Sequence, residues 1–150
     1  MQIVWGGMAN AEHNRMMADW CALQIWPGTG KRFGNCTTMG VIEDDDLIAV
    51  MVYHNWEPGY GVIELSGAAT TPRWLTRPVL KAMYDYPFNQ IGVQAVVQRN
   101  DPDDEKLARM LKAYGFERYD IPRLRGRDKA EAIFVLTDDA WRSSRFNRRH

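Results

Sequence analysis

The chain has 150 residues, 19 basic and 19 acidic side chains, and a formal net charge of zero. With 45% hydrophobic and 25% charged residues it has the make-up of one globular domain, and not of a disordered chain, which combines low hydrophobicity with high net charge. No apolar run approaches the roughly 20 residues of a membrane span, the start MQIVWGGMANAEHNR lacks a signal-peptide pattern, and Cys21 and Cys36 make no disulfide framework, so a reducing cytoplasm is expected.

Residues 2–5 read as a short first strand ended by Gly6-Gly7. From Met8 to Trp26 the residues Met16, Trp20 and Leu23 recur at helical spacing, and Met17 and Cys21 widen that stripe. Pro27-Gly28-Thr29-Gly30 stops the helix, and a polar loop runs to Asn35. Cys36–Ile42 and Leu47–His54 form a hairpin around the acidic turn Glu43–Asp46, the second run being apolar enough for a strand buried on both faces. After the loop Asn55–Tyr60 comes the strand Gly61–Thr70. Leu75, Val79, Leu80, Met83 and Tyr84 then make a helix face, with Thr76 as N-cap and Pro78 in the first turn. Residues 92–98 give the next strand. In the following helix Asp101 is the expected cap and Pro102 the first helical residue, with Asp103, Asp104 and Glu105 on the positive end of the dipole. Leu107, Met110, Leu111 and Tyr114 form its stripe, and Gly115 ends it. A last hairpin pairs 116–121 with 131–136, and Ser143–His150 carries no core pattern. The middle strand–helix–strand unit requires a parallel pair and the hairpins require antiparallel ones, so a mixed α/β sheet with helices on its faces is predicted.

Most familiar sites fail on spacing. Gly28-Thr29-Gly30-Lys31 has Ile25 and Arg32 where a phosphate-binding P-loop needs Gly and Ser or Thr, and it follows a helix instead of a strand. His13, His54, Cys21 and Cys36 lack metal-ligand spacing, and Glu43–Asp46 lacks the alternation and glycine of a calcium loop, so no metal is expected. Leu65-Ser66-Gly67 is a poor match to a serine nucleophile elbow. Glu64, inside the apolar strand Val62-Ile63-Glu64-Leu65, is more informative. It is either an exposed cross-strand partner or a desolvated carboxylate poised as a base, and Tyr53 and His54 face the same choice.

The order of elements resembles the GNAT superfamily of acyl-CoA N-acyltransferases over about residues 2–137. The resemblance is carried by the strand GVIELSGAAT, the helix TRPVLKAMYDYPF, the strand GVQAVVQRN and the helix DEKLARMLKAYGF running into Gly115-Phe116. YHNW at 53–56, PRWLTR at 72–77 and YPF at 86–88 are similar to a subgroup encoded in bacteriophages and prophages. The resemblance implies a mixed, mostly antiparallel sheet of six to seven strands with helices on both faces. Its fourth and fifth strands, parallel and splayed, would hold acetyl-CoA between them, a crevice at strand carboxyl ends. The pantetheine arm would pair with backbone near Ser66 and Ala68, and the pyrophosphate would sit on amides at the start of the next helix. There this sequence departs from the family, placing Trp74 and Thr76 where two loop glycines belong. Arg73 and Arg77 are the candidates to compensate as phosphate donors, or are ordinary surface arginines. The resemblance implies that Asn100 is the equivalent of an Asn frequent near the start of this helix in the family, a candidate cofactor contact. The family's acidic Tyr is replaced by Leu111, which leaves Tyr114 as candidate, although it belongs to the packing stripe.

The resemblance thus implies acetyl transfer from acetyl-CoA to an amine of a small molecule or protein, with Glu64 as proton acceptor. Trp5, Trp20, Trp26 and Trp56 are candidate lining residues for the acceptor site. The alternative is a catalytically inactive GNAT-fold phage protein acting by binding, as a virion component or a host-protein inhibitor. Residues 1–141 form the domain and 142–150 a basic tail. The host cytoplasm, or the virion, is the expected location, with no membrane partner and a homodimer left open. Residues 1–120 carry 11 basic and 15 acidic side chains and residues 121–150 carry 8 and 4, so the zero total conceals a basic end. That end reads as a solvated loop and tail rather than a nucleic-acid contact, because no aromatics interleave it.

Overall fold

In the structure, a computed structural model that describes residues 1–147, the chain order is β1 (Gln2–Gly6), α1 (Ala11–Ile25), β2 (Cys36–Glu43), β3 (Asp46–Glu57), β4 (Val62–Ala69), α2 (Arg77–Asp85), β5 (Ala95–Asn100), α3 (Glu105–Tyr114), β6 (Glu117–Ile121), β7 (Glu131–Thr137) and α4 (Asp138–Ser143). The strands form one mixed sheet in the order β1-β2-β3-β4-β5-β7-β6. Neighbours are antiparallel at β1/β2, β2/β3, β5/β7 and β6/β7, and β4 and β5 are the parallel pair. The Gly61 carbonyl, just before β4, accepts the amides of Gln94 and Ala95 at the entry to β5, at 2.8 and 3.2 Å. By contacts the chain divides into a first unit, Met1–Trp56 with Glu64–Met83, and a second, Glu57–Ile63 with the chain from Tyr84 on.

In the first unit the sheet is covered on both faces. Met17, Ala18, Cys21 and Ala22 of α1 pack with Phe33 on Val50 and Val52. The alternate residue Tyr53 points the other way and donates its hydroxyl to the Met83 carbonyl of α2. The predicted stripe on α1 is rotated: Met16 and Leu23 are exposed, and Ala18 and Ala22 take the core positions instead. The reason is close approach, since a Cβ on Gly40 of β2 would meet the Met17 sulfur at 2.6 Å. Large side chains facing the sheet throughout would hold the helix off. The first residues assigned to this helix, Met8–Asn10, form a separate 3-10 turn.

The hairpin turn is tighter than predicted, only Asp44 and Asp45 lying outside the strands, with φ of 51° and 67°. These left-handed values at both central residues define the two-residue turn that suits strand twist. β3 runs on to Glu57, so Asn55 and Trp56 belong to the strand and not to a loop. Thr76 caps α2 as expected, its Oγ1 accepting the Val79 amide at 3.4 Å. A π-helical turn over Tyr86–Ile91 then prolongs α2, and β5 begins at Ala95 instead of Gly92.

In the second unit β7 lies between β5 and β6 and is the buried strand. Asp104, not Asp101, caps α3, accepting the Leu107 amide at 3.1 Å. Asp101 instead accepts the Asp103 amide at 2.9 Å in the preceding turn, so Pro102 lies outside the helix. Gly115 ends α3 at φ 110°, as expected for a left-handed C-terminal residue. The core here is aromatic: Tyr84 packs on Tyr114, Phe116 and Trp141. Trp141, on α4, is 1% exposed, and Phe146 lies 5.0 Å from the Tyr114 ring. The stretch from Ser143, expected to carry no core pattern, therefore starts on the last residue of α4 and packs Phe146 on Tyr114, while Arg148, Arg149 and His150 lie outside the described residues.

Candidate functional site

The polar cluster of the first unit follows from strand alternation. β3 and β4 run antiparallel, since the Thr70 amide reaches the Ile48 carbonyl at 2.9 Å while His54 and Asn55 meet Glu64 at the other end. Val50, Val52 and His54 thus share a face with Glu64, Ser66 and Ala68, and Ala68 packs on the same cluster as Val50 and Val52. His54 Nε2 lies 2.8 Å from Ser66 Oγ and 3.6 Å from Glu64 Oε2. Asn55, at φ 50°, breaks the alternation, and its Nδ2 donates to Glu64 Oε1 at 3.0 Å. Asn tolerates this left-handed backbone better than most residues.

An aromatic wall flanks the cluster. The Phe33 ring meets His54 edge-on at 4.9 Å, Trp26 packs on Phe33 at 5.0 Å, and the Lys31 ammonium stands 4.4 Å from the Trp26 ring centre. Phe33 is buried although it sits in a polar loop, because Arg15 of α1 donates to the Phe33 and Gly34 carbonyls at 2.8 and 3.2 Å. Asp19 of α1 holds Arg32 of the same loop with two hydrogen bonds, at 3.1 and 3.0 Å.

Burial of this kind favours neutral imidazole and lowers the His54 pKa, with the nearby Glu64 carboxylate opposing the shift. The two side chains are only 12% and 16% exposed. Ser66, His54 and Glu64 do not form a hydrolytic triad, because serine and carboxylate both address Nε2, whereas a triad needs the acid on the other ring nitrogen. The cluster can instead accept and hold a proton.

The residues assigned to the cofactor's phosphates are differently placed. The amides of Arg73, Leu75, Thr76, Val79 and Leu80 already have acceptors within the loop and first helical turn. Pro72 and Pro78 have no amide to offer. Arg73 is paired with Glu43 at 2.8 Å. Thr76 spends its hydroxyl on the cap of α2, Trp74 is half-buried, and Arg77 is exposed at the helix start. In the second unit Asn100, at the end of β5, has a buried Nδ2 with no hydrogen-bond acceptor. Tyr114 is buried in the aromatic core, which raises its pKa and gives it a packing role. The four tryptophans do not converge. Trp5 stacks at 6.4 Å on Tyr53, on the face away from His54, Trp20 packs against the α1 core cluster, and Trp56 is exposed. Trp26 reaches the cluster through Phe33. Among the described residues no group of three or more His, Cys, Asp or Glu could hold a metal ion.

No family model and no curated protein matches the chain. Solved structures do. A spermidine/spermine N-acetyltransferase from Vibrio cholerae, solved in mutant forms, superposes with a TM-score of 0.71 at 10% identity, over 95% of this chain and 100% of the other. A GCN5-related N-acetyltransferase from Brucella melitensis gives 0.60 at 18% identity over 73% of this chain, which spans 53% of that protein. The Campylobacter jejuni N-acetyltransferase PseH, in complex with acetyl coenzyme A, gives 0.53 at 17% identity over 69% of this chain and 68% of that one. The chain therefore has the GNAT fold. At these identities the likeness is one of architecture, and function has to be argued from the site.

Proposed function

We propose that this protein transfers an acetyl group from acetyl-CoA to an amine, with Glu64 as the proton acceptor. The observation that carries the proposal is the Glu64 carboxylate, held by Asn55 beside His54 on β4 of an acetyltransferase fold. The amine nitrogen attacks the thioester carbonyl, and its proton passes to Glu64 directly or through one water. Much of the rate enhancement comes from holding the two reactants together. Ser66 and Ala68 on β4 are the proposed backbone partners of the pantetheine arm, and Asn100, with its unspent amide, is a proposed donor to the cofactor. The phosphate end requires Arg73 to exchange Glu43 for phosphate, with Arg77 beside it.

The calorimetric titration of the purified chain with acetyl-CoA tests this. Saturable binding that weakens at least tenfold in Arg77→Glu is expected, while Glu64→Gln keeps binding and loses turnover with a panel of aliphatic amines that starts from spermidine. Absence of binding at millimolar acetyl-CoA sinks the proposal. One observation favours a second reading: with the amides of Arg73, Leu75, Thr76, Val79 and Leu80 already paired and Arg73 tied to Glu43, the fold also suits a catalytically silent protein that acts by binding. The phage setting, in a virion or against a host protein, belongs to that reading and rests on the sequence resemblance alone.

A further inference from the structure

We propose that His54 is the proton-holding partner of Glu64, the two side chains acting as one acceptor whose orientation is set by Asn55 and Ser66. The chemical use of the pair rests on the acetyl-transfer reading; the pair itself does not. The two carboxylate oxygens of Glu64 are differently engaged. Oε1 accepts from Asn55 Nδ2 at 3.0 Å, and Oε2 faces His54 Nε2 at 3.6 Å. Asn55 donates to the ionised carboxylate and leaves Oε2 as the oxygen open to a proton. The 3.6 Å separation exceeds a direct hydrogen bond, so a proton passes between the two groups once they close by a few tenths of an ångström.

Ser66 supplies the second half of the device. A hydroxyl both donates and accepts, so Ser66 Oγ, 2.8 Å from Nε2, is a partner for either protonation state. When Nε2 is bare the hydroxyl donates to it. When Nε2 carries the proton the hydroxyl oxygen accepts. Either protonation state of His54 therefore keeps its hydrogen bond to Ser66 by rotation of one O–H.

Glu64 is the charge that acts on the imidazole. From the loop before β2 comes the edge of the Phe33 ring, and from β2 comes Cys36, opposite His54 in register. Burial raises the Cys36 thiol and keeps it neutral. From α1, Arg15 directs its guanidinium to the Phe33 and Gly34 carbonyls and Asp19 holds Arg32. From β4, Glu64 is the carboxylate beside His54.

In the proposed step the amine lone pair forms the C–N bond and the C–S bond breaks with its electrons on sulfur. One N–H proton passes to Glu64 Oε2 and on to His54 Nε2. The pair then returns that proton to the thiolate, which leaves as the free thiol, so atoms and charge balance over the cycle. His54 acts through Glu64 and is a positioning residue in this scheme.

The test follows the imidazole itself. The His54 resonance of the whole chain, assigned by its loss in His54→Gln, is titrated by NMR in the wild type, in Glu64→Gln and in the gentler Glu64→Asp. The wild-type midpoint is expected below that of free histidine, and to fall by about one further pH unit in Glu64→Gln, a roughly tenfold loss of proton affinity. Glu64→Asp should lie between them. An unchanged midpoint in both folded variants overturns the pair. The acidic limb of the kcat/KM profile should also move in His54→Gln with KM for acetyl-CoA unaltered. A coupled midpoint in a protein without turnover would retire the acetyl-transfer reading and leave the pair standing. Turnover without coupling would do the reverse.

Discussion

Burial and charge pull on His54 in opposite directions, and burial wins, so the folded site releases its proton below the ordinary histidine range. In the unfolded chain the same ring titrates near about 6.5. Between the two values the unfolded state binds more protons than the folded one, so stability rises with pH through that window and is lost on acidification. For a single site the slope cannot exceed about 1.4 kcal/mol per pH unit. Urea unfolding of the wild type and His54→Gln at intervals from about pH 7.5 to about pH 5 measures the effect. The wild-type midpoint should fall below about pH 6.5 more steeply than that of the variant. Parallel curves would show that His54 meets the same environment folded and unfolded. Asn55 sets a second constraint beside it, because its positive φ turns the side chain toward Glu64. Without that turn the strand would present Asn55 to the opposite face.

The β2–β3 hairpin places two aspartates in left-handed conformation with acidic neighbours on both sides, Glu43 and Asp46. A two-residue turn of this kind is best served by Asn-Gly, glycine carrying no steric cost at positive φ. Replacing Asp44-Asp45 by Asn-Gly should therefore stabilise the chain by about 1 kcal/mol, from relief of backbone strain and of like-charge repulsion. A thermal melt of the double variant with an unchanged or lowered midpoint would refute that account. The same hairpin shows what can be read from residues alone. Both runs and the acidic turn are plain in the residue pattern, and so are the Thr76 cap and the stop at Gly115, because each rests on local chemistry. The pattern misplaces the cap of α3 by three residues because Asp101, Asp103 and Asp104 all qualify locally, and only the helix's direction selects one. It misjudges the α1 face because the core positions there are alanines, whose fit depends on how closely Gly40 lets the helix approach. Glu64 stands out as an acid in an apolar strand. Its convergence with His54 and Ser66 does not, since it depends on the β3–β4 register, which neither strand encodes alone. Phe33 is hidden in a polar loop, and only the Arg15 hydrogen bonds to that loop explain its burial.

The zero net charge of the chain divides into an acidic portion up to residue 120 and a basic one after it, and Arg125, Lys129 and Arg142 of that basic end are held by carboxylates. Arg99 and Arg125 both pair with Glu131, whose side chain is 8% exposed. Lys129 lies 3.3 and 3.4 Å from Asp101 and Asp103, Arg118 pairs with Asp120, and Arg142 pairs with Asp138 at 3.3 Å. A guanidinium already held by a carboxylate contributes little to a polyanion contact, because binding would have to break one charge pair to make another. Heparin retention should accordingly be weak, with elution below about 0.15 M salt, where surface fields are screened beyond about 8 Å. Glu131→Gln leaves Arg99 and Arg125 without their carboxylate and should raise the salt needed for elution, with circular dichroism checking that the variant is folded. Removal of residues 142–150 should change elution little. A wild-type chain that stays bound well above that salt, and loses the binding with those residues, would show that the basic end is an exposed polyanion contact and not a set of internally balanced pairs.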